Sequence, residues 1–437
     1  MFVGNVAMII IVAGMAVHNG APLTTVQQTY LIQNAMVASG IASIVQCYPI
    51  WRLGSGLPVI MGTSFTFFAV VVAAATQDYG LMIGAAIIGG IVEGLLGLTA
   101  KYWKRYIRPI VSSCVVMCIG ISVLPTSITY FGTSSVYEFG AWQNLLVAFV
   151  SLLVYLLFQL FGKGIIKQLA VLIGMAAGYV CAICLGMVDF SAIGATISET
   201  GVFALPHIFL FAPKFDLGIA VSFILVFIVS ATETIGDTSA LCAGGLHRAP
   251  TDWEISGSLA VDGFMSSVSA GVFGCTPVTS FSQNVGLVNL TGIVNRYSIT
   301  LGMVILIIAG LCPPIAAVFS TMPYCVLGGC AVMMFGIIIY SGIHMVAQNG
   351  NTQRNSLIVA ISLGIGVGSN MVDGFYAFMP FWIRRIFKGN MVAGVFVIAL
   401  LLDLLLPAKI GRDIQPTTNE AKEAVELEME EAASGEV

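Results

Sequence analysis

Long apolar runs recur from one end of this chain to the other, and no other feature excludes so many folds. A helix needs roughly 20 mostly apolar residues to cross about 30 Å of hydrocarbon. Such runs fall near 1–17, 27–47, 57–76, 80–99, 107–125, 142–161 and 165–187. A second set falls near 217–236, 256–274, 277–294, 297–319, 322–345, 355–372 and 390–406. Only 9% of the 437 residues are charged and 58% are hydrophobic, whereas soluble domains carry about a quarter charged residues. So few charges cannot clothe a water-facing surface, so most of the surface faces lipid. The expectation is an all-α polytopic membrane protein with fourteen transmembrane segments.

The runs divide seven and seven. Residues 1–188 are expected to form a first repeat, 189–216 a connector with Pro206, Pro213 and Lys214, and 217–407 a second repeat. The acidic tail, 408–437, is expected to be solvated. Met1 starts inside an apolar run, so the first span is expected to be truncated. With that end cytoplasmic, inner loops and tail hold Arg52, Lys101, Arg108, Arg248, Arg296, Arg354 and most other basic residues, thirteen in all. The outer side keeps Lys214, Arg384, Arg385 and Lys388. The positive-inside rule therefore puts both termini in the cytoplasm, with the chain in the cell membrane. The aromatic segment around Arg384 is suited to the membrane interface. Cys114 with Cys118, and Cys181 with Cys184, read as small residues for helix packing, since no histidine or second pair supports a metal site. His18, His207, His247 and His344 read as loop or span-end residues.

Two segments echo each other. The third of the first set reads GLPVIMGTSFTFFAV from Gly56, and the third of the second reads GCTPVTSFSQNVGLV from Gly274. Each opens on a Pro and then carries Thr-Ser-Phe, as Thr63–Phe65 and Thr279–Phe281, followed by Thr66 or Ser282. Transporters built from inverted repeats place broken helices at corresponding positions in both halves, and ligand binds where they meet. Segments 3 and 10 are therefore expected to be a short strand followed by a half-helix. Irregular backbone at membrane depth is tolerated only where it lines a cavity, and the half-helix N-termini offer backbone N–H groups to a ligand.

Acidic side chains inside spans cost at least about 2.5–3.5 kcal/mol, so they signal function. Glu233 and Asp237 stand four residues apart on one helix face, Asp262 lies in the next span, and Gln283 and Asn284 supply amides in the tenth. A base edge alternates N–H donors with carbonyl and nitrogen acceptors. A carboxylate, an amide and a ring such as Phe65 can read such an edge, and a carboxyl in a cavity is suited to carry a proton. Glu93 lies outside both broken segments and is expected to have no site role. Asp403, near the end of the last span, is expected to reach the interface.

The stretch SFSQNVGLVNLTGIVNRY, from Ser280 to Tyr297, resembles the signature of the nucleobase–ascorbate transporters, the nucleobase:cation symporter-2 family. The matching residues are Gln283, Asn284, Gly286 and Thr291, followed by Gly292 and Arg296. ATETIGD in the eighth span and GTSF at 62–65 also match, and Asp262 falls where the family carries its ninth-span aspartate. The resemblance implies a seven-plus-seven inverted-repeat fold, with spans 1–4 and 8–11 as a core and the others as a gate, often in homodimers. It further implies that Glu233, Phe65, Ser282, Gln283 and Asn284 bind substrate, while Asp237 and Asp262 belong to a proton-coupling network. Glutamine at the head of the signature resembles the xanthine and urate carriers, where uracil carriers have glutamate. The family's Gln-His pair before the Met-aromatic-x-Gly stretch has no counterpart ahead of Met1, Phe2 and Gly4.

The expected function is import of xanthine or urate by proton symport, with core moving against gate. No enzyme activity, cofactor, metal or nucleic acid is expected; the coupling ion is a proton, with sodium as the alternative. The partners are a small purine, the bilayer and a second copy of the chain. A uracil or other nucleobase permease is the main alternative. An anion exchanger or channel is disfavoured, because no Lys or Arg lies near the facing half-helix ends.

Overall fold

The computed structural model describes residues 2–103, 108–188, 194, 201–348, 350 and 352–407. The acidic tail and most of 189–200 lie outside the described residues, and 201–216 carries no helix or strand. Each apolar run becomes a helical segment. In the first half these are α1 (Phe2–Met15), α2 (Thr25–Cys47), a strand β1 (Met61–Thr63) leading through one 3-10 turn to α3 (Phe68–Ala75), and α4 (Tyr79–Leu98). They continue with α5 (Pro109–Phe131), α6 (Trp142–Phe161) and α7 (Ala170–Cys184). The second half repeats the series as α8 (Leu217–Gly245), α9 (Asp252–Gly271), strand β2 (Val278–Ser280) with α10 (Ser282–Thr291), and α11 (Arg296–Gly310). It ends with α12 (Tyr324–Gln348), α13 (Gln353–Met371) and α14 (Met391–Leu405).

Six of these helices, α2, α4, α5, α6, α8 and α12, are individually long and apolar enough to cross a membrane. The eleventh run, expected as one helix over 297–319, is instead α11 plus a short helix Pro313–Ser320 bent away by 76°. Pro313 and Pro314 explain the break: neither can donate the N–H a continuing helix needs, and both suit a new first turn. Conversely α8 runs on to Gly245, nine residues past the expected end. Its polar continuation is buried against α9, where Thr238 Oγ1 donates to Ser258 Oγ at 3.2 Å.

Packing follows the repeat. α4 lies along α9 and α2 along α11, pairs exchanged by shifting each number by seven; α5 lies along α12, its own counterpart. Likewise α6 packs on α7 and α13 on α14. Helices α1–α4 with α8–α11 make one group, the core, and α5–α7 with α12–α14 make the other, the gate. Among the described residues, the polar contacts joining them include Tyr130 of α5, which donates to Ile11 O at 3.0 Å, and Ser112, which donates to Thr232 Oγ1 of α8 at 2.6 Å. The α4–α9 seam is close enough to exclude side chains. A Cβ built on Gly263 would stand 2.1 Å from Gly94 N and 2.5 Å from Gly90 O.

Loops expected on one side of the membrane do meet. Lys214 Nζ donates to Asp78 Oδ2 at 2.6 Å and to Asn19 Oδ1 at 2.8 Å, and His18 Nδ1 lies 3.5 Å from Asp78 Oδ1. Asp78 also caps α4 by accepting from Gly80 N–H at 2.8 Å. Desolvation pushes the Asp78 carboxyl up, but the hydrogen bonds from Lys214, Gly80 and Asn19 outweigh it and hold it below its ordinary value. A carboxylate with a lowered folded-state value stabilises above its unfolded value and loses that contribution as pH falls through the folded one. Asp78→Asn should therefore melt below the wild type at neutral pH, and the gap should close as pH drops below about 3.9. A gap that does not change with pH would show that the carboxylate charge is irrelevant there.

Asp403 does not reach the interface as expected. It is 5% exposed and accepts from Arg354 Nη2 at 2.8 Å, with Arg108 Nη1 at 3.7 Å. Arg354, itself 5% exposed, also donates to the carbonyls of Asp403 and Leu406. A buried carboxylate needs such a partner, and α13 crossing α14 supplies it. The segment after α13 keeps Phe378, Phe381 and Trp382 exposed, consistent with an interfacial position.

Candidate functional site at the crossed half-helices

The echoing tripeptides meet in space. β1 and β2 pair antiparallel, with Met61 opposite Ser280, Gly62 opposite Thr279 and Thr63 opposite Val278. The ladder extends through Ser64 N–H to Pro277 O at 3.4 Å and Phe281 N–H to Ile60 O at 2.9 Å. Each strand is gripped by a serine on the corresponding helix. Ser43 Oγ of α2 accepts from Met61 N–H at 2.8 Å and donates to its carbonyl at 3.2 Å. Ser266 Oγ of α9 does the same for Val278, at 3.1 and 2.7 Å. Asn5 of α1 holds the other edge, its Oδ1 accepting from Thr63 N–H at 2.8 Å and from Ser39 Oγ at 3.1 Å. Backbone polar groups that lipid cannot satisfy are thus paired by side chains, which the residue pattern did not reveal.

Each strand turns into a half-helix at its Ser-Phe step, so the two N-terminal ends face α8 from either side. Thr66 Oγ1, from the first half-helix, donates to Glu233 Oε2 at 2.6 Å. Ser282 Oγ, from the second, lies 3.4 Å from Glu233 Oε1 and 3.1 Å from Asp237 Oδ2. Glu233 is therefore held between both broken segments, half-buried, with Ser282 exposed beside it. Asp237 Oδ2 also accepts from Ser280 Oγ at 3.0 Å. Asp262 Oδ2 of α9 accepts from Thr234 Oγ1 and, at 3.3 Å, from Ser280 N–H. One face of α8 and the β2 turn thus bring three carboxyls into a single hydroxyl-linked chain.

The other expected residues fall as follows. Phe65 opens the first half-helix, its ring buried edge-on against Phe335 of gate helix α12, with centroids 5.3 Å apart. Phe335 was not singled out in the sequence; nothing distinguishes it from any other span phenylalanine. Asn284 is buried and donates to Pro58 O at 2.8 Å, so one amide N–H ties α10 to the loop before β1. Gln283 lies in the first turn of α10, and its side chain falls outside the described residues. Glu93 is fully buried on α4, which packs along both α8 and α9, and lies within electrostatic reach of Asp262 and Glu233.

No acid in this cluster forms an ion pair with Lys or Arg among the described residues, and no group of metal-ligating side chains is found there. A separate cleft of about 510 Å³ opens at the core–gate seam, lined by Ile10, Gln28, Val136, Met187 and Tyr324.

A many-span apolar helical body, with paired half-helices around an acid cluster, is the build of a membrane transporter. The sequence model of the Permease family matches residues 1–375. The chain belongs to that family, the nucleobase:cation symporter-2 permeases. The xanthine permease of Bacillus subtilis is 34% identical over 397 residues, 90% of this chain and 89% of that protein. The uric acid permease PucK of the same organism is 34% identical over 360 residues, 80% of this chain and 81% of that one. Among solved structures, the transmembrane domain of the cyanobacterial bicarbonate transporter BicA has the same fold. It matches with a TM-score of 0.52 at 15% identity, over 92% of this chain and 95% of that one. These relatives are permeases, and the chain is a multi-pass membrane transporter, not an enzyme.

Proposed function

We propose that the protein imports a purine base, xanthine or urate, by proton symport across the cell membrane, with both termini cytoplasmic. The observation that carries this is Glu233, held by Thr66 and Ser282 at the meeting of the two half-helix N-termini. A purine presents adjacent N–H groups that a carboxylate accepts, and carbonyls that the half-helix N–H groups and the Gln283 amide suit. Phe65 packs on the ring, Ser282 completes the edge, and Asn284 holds the half-helix in register. The xanthine and uric acid specificities named for the two Bacillus relatives support an oxopurine over a pyrimidine.

Three acids without a cation need one when charged at membrane depth. A proton fits that role, with Asp237 and Asp262 passing it along the hydroxyl chain to and from Glu233. The core would carry the site past the gate, the polar bonds between them breaking and reforming, and two copies would pair as a homodimer. No cofactor enters the cycle.

The test is uptake of radiolabelled xanthine and urate into cells expressing the protein, with unlabelled bases as competitors. Accumulation should collapse with a protonophore and survive replacement of sodium. Gln283→Glu should lower xanthine uptake about tenfold, since a site built to donate to a carbonyl then opposes it with an acceptor. Undiminished xanthine uptake by that variant, or stronger competition by uracil than by xanthine against the wild type, would overturn the purine reading.

A further inference from the structure

Glu93 on α4 is fully buried, and no Lys, Arg or backbone N–H meets its carboxyl among the described residues. Beside it stand the Ser230 hydroxyl on α8, placed as a side-chain donor to the Glu93 carboxyl, and Asp262 Oδ1 on α9, which has no donor among the described residues; both residues are 0% exposed. The rest of the cluster is satisfied: Asp262 Oδ2, Asp237 Oδ2 and both Glu233 oxygens have donors. Buried polar atoms in native proteins are almost always paired, and an uncompensated buried charge is not held. Around Glu93, carboxyl oxygens therefore outnumber the donors that meet them.

Donor and acceptor counting says what balances them. Three of the four atoms are carboxyl oxygens, and the only hydrogen among them is on Ser230. One added proton closes the set. On Glu93 it would make an O–H suited to the Asp262 carboxylate on the facing helix, with the Ser230 hydroxyl left to donate to the other Glu93 oxygen. A metal ion does not fit: the α4–α9 backbones touch at Gly94 and Gly263, and no metal-ligating group occurs there among the described residues. Of the titratable groups, Glu233 from α8 and Asp262 from α9 face Glu93.

We propose that Glu93 is the storage site of the coupling proton, behind the substrate-facing acids. The proton comes from water on the entry side, passes by way of Asp262 and rests on Glu93. It returns to water on the exit side when substrate leaves, only O–H bonds forming and breaking. This rests on the symport reading above, with Glu233 meeting substrate and Glu93 holding the charge balance.

Glu93→Gln keeps the shape, donates to Asp262, accepts from Ser230 and carries no titratable proton. In proteoliposomes it should still exchange external for internal labelled xanthine, a process that moves no net proton. Accumulation driven by a pH gradient should fall about tenfold, the scale of a typical coupling between two ligands. Infrared difference spectra between acid and alkaline pH provide a readout without substrate. A protonated-carboxyl C=O band should vanish in Glu93→Gln, and shift without vanishing in Ser230→Ala. A band unchanged in Glu93→Gln, unmoved in Ser230→Ala, or gradient-driven accumulation at the wild-type level would overturn the proposal. If the wild type carried no purine and the band still vanished in Glu93→Gln, the purine reading would fail and the proton site would stand.

Discussion

Xanthine uptake by the Glu233→Gln variant should fall about a hundredfold while the protein still reaches the membrane. Hydrogen bonds to a charged group contribute roughly 1.5–3 kcal/mol, and about 1.36 kcal/mol corresponds to a factor of ten. Two ligand N–H groups losing a carboxylate acceptor therefore cost on the order of two decades. The change is isosteric, and Thr66 and Ser282 can reorient their hydroxyls to the amide, so the fold loses little. Initial uptake rates normalised to protein in the membrane would measure it. A rate equal to the wild type would move the binding site away from α8 altogether.

Gly263→Ala should remove the folded transporter. Its new methyl would lie 2.1 Å from Gly94 N and 2.5 Å from Gly90 O, which are backbone atoms of a neighbouring helix and cannot rotate aside. Overpacking typically costs about 1–3 kcal/mol even where side chains can yield, and here α4 and α9 must separate. Gly302→Ala is the control, since nothing lies within 4 Å of a Cβ built there. Size-exclusion profiles and melting temperatures in mild detergent would compare the two. A Gly263→Ala protein melting with the control would show that the seam is looser than described.

Spans were readable in the sequence because burial in lipid requires long apolar runs, and that signal is strong. The broken segments were readable for a different reason: Pro58 and Pro277 stop helices, and the repeated Thr-Ser-Phe marks equivalent positions. Glu233, Asp237 and Asp262 stood out as costly charges in apolar runs. Long-range pairing was hidden. Nothing local distinguishes Asp403, locked to Arg354, from an acid reaching the headgroups. Counting closeness to a broken segment along the chain leaves Glu93 outside the site, whereas through space it lies with Asp262. A signal was present in Gly90 and Gly94, whose small-xxx-small spacing draws helices together and carries Glu93 into the groove between α8 and α9. The serine clamps Ser43 and Ser266 could not be told from ordinary span serines until the strands they hold were placed.

The register of the β1–β2 ladder is self-complementary. Aligning Thr63 with Thr279 makes Gly62 equivalent to Val278, and the pairs Gly62–Thr279 and Thr63–Val278 then exchange into one another. That is the self-complementary pattern of a two-fold symmetric dimer interface, here between two halves of one polypeptide. A gene half this length could close the same ladder with a second copy of itself, inserted in the opposite orientation. The two halves differ in what they attach to that ladder: the second holds the acids at Glu233, Asp237 and Asp262, and the first supplies Asn5 as a strand clamp. A symmetric set of central hydrogen bonds thus carries an asymmetric set of side chains.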